Sequence, residues 1–121
     1  MAYVESYILP VETSRLDDYR KIAVESADIW LQLGALSVME ATGIDTPHGS
    51  VTSFPRSVQL TPDETVVVSY LTFRDRAPRD KVMKKMEADP RMIELFETAP
   101  VDGKRLIWGG FDAFVDIKAP A

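Results

Sequence analysis

Thr65-Val66-Val67-Val68-Ser69-Tyr70-Leu71-Thr72-Phe73, running straight into Arg74-Asp75-Arg76-Ala77-Pro78-Arg79-Asp80, is the stretch on which the fold turns. Its first part is β-branched, aromatic or aliphatic nearly throughout, with Ser69 and Thr72 as the interruptions. A strand with one wet face alternates apolar with polar residues. This one hardly does, which predicts burial on both faces. A chain of 121 residues can cover one sheet face with its own helices, so the second face calls for a partner.

Outward from that strand the pattern falls into elements. Tyr3 to Leu9 reads as a first strand, with Tyr3, Glu5, Tyr7 and Leu9 on one face and Val4, Ser6 and Ile8 on the other, closed by Pro10. Ser14, with Asp17 three residues on, reads as the capping box of a helix whose apolar stripe is Leu16, Tyr19, Ala23, Ala27, Trp30 and Leu33. Gly34 supplies its left-handed end. Ala35 to Ile44 is a second strand, with Leu36, Val38 and Glu40 on one face, and Thr42 to Ser50 is loop. Phe54-Pro55-Arg56 reads as an extended edge segment or a flap.

After the central strand, Asp75 caps a helix carrying Val82, Met83 and Met86. Asp89-Pro90 interrupts it before one or two further turns through Phe96. Arg105 to Ile117 gives a long last strand, with a bulge or bend expected at Gly109-Gly110. The order βαββαβ is the ferredoxin-like plan: an α+β fold in which a four-stranded antiparallel sheet carries two helices on one face, here a single domain over 1–121.

Composition removes whole classes of chemistry. There is no Cys and a single His, so thiolate catalysis and the usual zinc and iron–sulfur ligand sets are absent, and no metal or cofactor is expected. The missing Cys, and an N-terminus without basic or apolar signal regions, point to the cytoplasm. No apolar run approaches the ~20 residues of a membrane helix. The net charge of −5 disfavours nucleic acid. Arg74, Arg76, Arg79, Lys81, Lys84 and Lys85 form a local basic stripe, read as a solvated helix face with an anion or partner surface as the alternative.

Glu40 is the first candidate for chemistry, because a carboxyl set into a strand and desolvated there becomes a general acid or base; the alternative is a solvated edge residue. Glu5 has the same ambiguity. His48 lies in a Pro/Gly loop and reads as a surface residue. Aromatic residues spread over every strand make either a core or a small-molecule pocket between sheet and helices. The pocket reading takes Tyr7, Trp30, Tyr70 and Trp108 as its lining, with Tyr70 joining Glu40 as candidate catalytic groups. No phosphate loop and no Ser/His/Asp order can be assembled.

The blocks Val51-Thr52-Ser53-Phe54-Pro55-Arg56, Asp89-Pro90-Arg91-Met92 and Asp102-Gly103-Lys104-Arg105 with Gly109-Gly110-Phe111 resemble the YbaA-like family, a bacterial group of uncharacterised proteins, over nearly the whole chain. The resemblance implies a dimeric α+β barrel: a ferredoxin-like protomer whose sheet faces that of a second copy. It implies no established activity. The wider superfamily includes cofactor-free monooxygenases, haem-degrading enzymes and isomerases, with sites between sheet and helices. The expectation is therefore a homodimer with a pocket for a small apolar or aromatic ligand, binding it or oxidising it without a cofactor. A solid-cored, non-catalytic interaction module is the alternative.

Overall fold

A computed structural model describes residues 2–121. The elements are β1 (Tyr3–Glu12), a 3-10 turn (Thr13–Arg15), α1 (Leu16–Leu33), β2 (Ser37–Thr42), α2 (Phe54–Ser57), β3 (Glu64–Phe73), α3 (Arg76–Ala88), α4 (Pro90–Thr98) and β4 (Ile107–Asp112). The strands form one four-stranded sheet in the order β2-β3-β1-β4, antiparallel throughout. This is the ferredoxin-like α+β architecture. The second helix of the plan is broken into α3 and α4 at Asp89-Pro90, where the Asp89 side chain accepts the Arg91 and Met92 N–H groups and starts the chain afresh.

The central strand sorts its residues by parity. Val67, Ser69, Leu71 and Phe73 are buried under the helices, where Phe73 and Leu71 join Tyr3, Ile29, Trp30, Val82 and Met92 in the main core. Val68, Tyr70 and Thr72 look the other way and are half-buried. The neighbouring strands continue that second face with Val4 and Ile8, then with Met39 (54% exposed) and Phe111 (59% exposed). One protomer thus leaves an apolar sheet face open.

Several local expectations are corrected. β1 does not close at Pro10 but continues to Glu12. The Glu12 N–H donates toward the β4 side, to the Pro100 carbonyl (3.4 Å), and the absent N–H of Pro10 points the same way. The β4 pairing ends at Ile8–Ile107, so no ladder bond is lost. The Ser14 capping box does not form, because Asp17 pairs with Arg20 (2.9 Å) and α1 starts from the 3-10 turn without a side-chain cap. Gly34 does end α1, at φ 128°. β2 is shorter than expected. Phe54-Pro55-Arg56 is neither edge nor flap but a helical turn capped by Ser53, whose Oγ accepts the Arg56 N–H (3.1 Å).

The last strand stops at Asp112 and has no bulge. Gly109 and Gly110 pair in unbroken register with Ser6 and Glu5. The reason for Gly110 is lateral: a Cβ there would lie 2.1 Å from the Tyr3 hydroxyl and 2.8 Å from its ring. Tyr3 needs that space to reach under Arg79, whose guanidinium stands 5.2 Å above the ring.

Candidate functional site

Between the covered face of the sheet and α1, α3 and α4 lies a cavity of about 590 Å³, the size of a small-molecule site. Its position follows from the sheet register. Glu40 of β2 stands opposite Ser69 of β3, Ser69 opposite Tyr7 of β1, and Tyr7 opposite Trp108 of β4. These four side chains form one row across all four strands, and all four line the cavity. Helix α1 contributes Tyr19, Ser26 and Trp30 to the roof; α3 adds Arg79, Met83 and Met86. Trp108, 65% exposed, stands at the mouth, and Trp30 is buried at the back.

The polar groups are arranged unequally. Glu5, 1% exposed, is held by Arg79, whose Nη2 and Nε donate to the same oxygen, Oε1 (2.8 and 3.1 Å). Arg79 Nη1 donates to Asp80 (2.8 Å), so every arm of the guanidinium is engaged. Glu40 has no cation. Its Oε1 accepts a short hydrogen bond from the Tyr19 hydroxyl. Burial raises the Glu40 carboxyl above its usual range, and the Tyr19 bond offsets only part of that. Burial also pushes the Tyr19 phenol up, assisted by the charge of Glu40, and pushes the Tyr7 phenol up, assisted by Glu5. Both phenols stay protonated, and Glu40 is the group poised to exchange a proton with something placed in the cavity.

Of the residues singled out from sequence, Tyr7, Trp30, Glu40 and Trp108 are brought together here. Tyr70 is not among them. It belongs to the opposite parity of β3, on the open face, where its hydroxyl donates to Met39 Sδ (2.8 Å). A one-residue step along a strand moves a side chain to the other side of the sheet, and that decides its exclusion. His48 is exposed in its loop, where its carbonyl accepts the Arg56 guanidinium (2.8 Å). The basic stripe stays outside except for Arg79, which turns inward to Glu5. Tyr19 and Arg79 were not anticipated at the site. A signal for Arg79 existed, since Glu5 shares a strand face with Tyr3, Tyr7 and Leu9, and a carboxylate among them needs a cation.

Among the described residues there is no cluster of His, Cys, Asp and Glu that could hold a metal ion, and no helix long and apolar enough to cross a membrane.

Residues 2–103 match the family model described as "Protein of unknown function (DUF1428)". The chain is 38% identical over 116 residues to the uncharacterised protein YbaA of Escherichia coli (strain K12), covering 96% of this chain and 99% of that one; YbaA of Shigella flexneri matches equally. Among solved structures, the chain resembles SnoaB, a cofactor-independent oxygenase from Streptomyces nogalater, with a TM-score of 0.66 at 11% identity over 98% of both chains. It also resembles Rv0793 from Mycobacterium tuberculosis (TM-score 0.62, 8% identity, 98% and 100% covered). A dimeric ferredoxin-like protein from an uncultured marine organism gives 0.58 at 12% identity, with 96% and 98% covered. At such identities these structures share the fold and transfer no mechanism.

Proposed function

We propose that this chain, which belongs to the DUF1428 family of proteins of unknown function, is a cytoplasmic homodimer that binds a small aromatic ligand in the cavity of each protomer. The observation that carries the reading is the cavity itself: about 590 Å³ left unfilled between sheet and helices, walled by Trp30, Trp108, Met83 and Met86 and floored by a polar row. A solid-cored interaction module has no use for such a space, because an unfilled core forfeits both transfer and packing energy.

Cofactor-free oxygenase chemistry is the reaction type that the fold likeness to SnoaB and the base at Glu40 favour. Glu40 takes a proton from a ligand hydroxyl, leaving an electron-rich ring. Dioxygen is the oxidant: the hydroxyl proton and one ring hydrogen are the two hydrogens lost, one oxygen atom enters at that ring carbon as C=O to give the quinone, and the second oxygen leaves as water. Tyr19 holds the Glu40 carboxyl in place through its hydrogen bond.

The open sheet face supports the dimer. Met39, Phe111 and Ile107 are exposed there beside half-buried Val4, Ile8 and Val68, an apolar surface that a monomer in water would not retain. Thermal-shift titration with naphthalene-class ligands tests the binding reading. We expect a melting temperature that rises with ligand concentration, as for any ligand that binds only the native state. We expect the rise to vanish when Ser69→Phe fills the floor of the cavity. No shift with any aromatic ligand would refute the reading. Oxygen uptake that a hydroxyarene stimulates, and that Glu40→Gln abolishes, tests the chemistry.

A further inference from the structure

We infer that the cavity selects uncharged, flat ligands bearing hydroxyl donors (the phenol, hydroquinone and hydroxynaphthalene class) and rejects carboxylates and phosphates. The inference rests on the aromatic-ligand reading above and names the substrate class of that same site.

It follows from which polar atoms around the cavity remain free. Arg79, the one cation that lines the space, commits its Nε and Nη2 to Glu5 Oε1 and its Nη1 to Asp80. No free positive charge faces the cavity from the described residues that line it. Ser26 spends its proton on the Ala23 carbonyl (2.9 Å) and Tyr19 spends its own on Glu40 Oε1. What is left is Glu5 Oε2, Glu40 Oε2, the Glu87 carboxylate, the hydroxyls of Ser69 and Tyr7, and the indole N–H groups of Trp30 and Trp108. None of these takes part in a side-chain hydrogen bond with the described residues. Glu5 is 1% exposed and Ser69 is 4% exposed. Yet no sealed side-chain oxygen or nitrogen among the described residues lacks a partner. The unpartnered oxygens of Glu5 and Ser69 are therefore open to the cavity.

This set carries three carboxyl groups, neutral donors and no uncompensated cation. A ligand carboxylate or phosphate would meet the carboxyl oxygens of Glu5, Glu40 and Glu87, with only neutral donors and a guanidinium already offset by Glu5 and Asp80 against its lost hydration. A ligand hydroxyl can donate to Glu5 or Glu40 and accept from Ser69 or Tyr7, satisfying both sides. An ammonium ligand gains little from Glu5, whose charge Arg79 already offsets. The register sets the spacing. Glu40, Ser69 and Tyr7 sit on three successive strands, so the outer two are about 10 Å apart. Ser69, the smallest side chain of the row, leaves room over β3 for a fused ring between them.

Calorimetric titration of the full chain with four probes on one ring system tests this: 2,6-dihydroxynaphthalene, naphthalene, 2-naphthoate and 2-naphthylammonium. We expect the diol to bind at least ~10-fold more tightly than each of the others, as a site built for a hydroxyl rejects analogues lacking it. Ser69→Ala and Tyr7→Phe, checked for native melting, should each weaken the diol ~5-fold and leave naphthalene unchanged. Equal affinity for all four probes would overturn hydroxyl selection while leaving the aromatic-ligand reading intact. Tightest binding by naphthoate or naphthylammonium would overturn it in favour of a charged ligand. Binding by none would overturn both readings.

Discussion

Each face of the sheet carries a group of side chains that a lone protomer would not be expected to place there. The face covered by helices carries Glu5, Glu40, Ser69, Tyr7 and the inward-turned Arg79, whereas the face left open carries Met39, Val68, Ile107 and Phe111. A protomer folded only for its own stability would not bury the first set or expose the second. The covered face holds the core residues Leu71, Phe73 and Val67 as well, and its polar row lies where the sheet and helices leave a cavity between them. The open face carries apolar side chains that the protomer's own helices do not cover, which is what the proposed dimer would bury. The difference teaches that one sheet can keep a polar cavity under its helices and an apolar surface on its other side, the two features on which the proposed ligand and the proposed second copy rest.

Breaking the polar arrangement of the covered face should have the largest effect. Arg79→Met strands the Glu5 carboxylate among Tyr3, Leu71 and Trp30, and we expect a loss of about 3–5 kcal/mol in chemical denaturation. Adding Glu5→Leu to Arg79→Met should recover most of it, since two apolar groups replace a buried pair at little net cost. If Arg79→Met alone melts like the wild type, the pair is not buried as described.

The open face is tested next. Phe111→Asp places a charge within the proposed interface, and we expect the dimer to weaken by about 2 kcal/mol or more, roughly 30-fold in dissociation constant. Light scattering would then show monomer at micromolar concentration. The protomer's own stability should move by less than about 1 kcal/mol, because Phe111 is already exposed within it. A wild-type monomer at the same concentration would break the comparison outright.

A pH series sharpens it through two carboxylates of opposite sign. Glu64, on the start of β3, donates nothing but accepts two guanidinium N–H groups of Arg105, which holds its carboxyl down at about 2 from an ordinary 4.5. Its contribution is present above pH 4.5 and is lost as pH falls toward about 2. Glu40 runs the other way. Its folded-state value is raised, so the native state is favoured below the ordinary value of 4.5 and loses that advantage as pH rises through the folded one. Wild type should therefore lose stability against Glu64→Gln on acidification, and against Glu40→Gln on going from acid to neutral pH. Identical slopes would show that the two environments are alike. The smallest effect is expected at the mouth: Trp108→Ala should change stability by no more than about 0.5 kcal/mol while weakening ring ligands in fluorescence-quench titration.

How much of this could be read from the chain varies with the range of the interaction. The β3 run, the amphipathic stripe of α1, Gly34 and the Asp89-Pro90 break are signals of local period and backbone preference, and each reads correctly. The errors come where a local rule meets a non-local neighbour. Pro10 sits inside a strand because β4 stops short of it, and Gly110 marks not a bulge but the room that Tyr3, far away in the chain, needs beside it. At the site, Glu40, Tyr7, Trp30 and Trp108 are recognisable as candidates from residue type and strand position. Tyr70 fails on parity alone. Arg79 hides within a basic stripe until the fold gives it Glu5.

The sequence by itself determined the architecture and the open face, since alternation in strands and the 3.6-residue stripe in helices record which side of each element avoids water. Only the tertiary structure decided the site. Whether a buried carboxylate meets a cation or a phenol, and whether a core closes or keeps a cavity, depends on strand register and on distances between residues far apart in the chain. Hydrophobic periodicity carries no record of either.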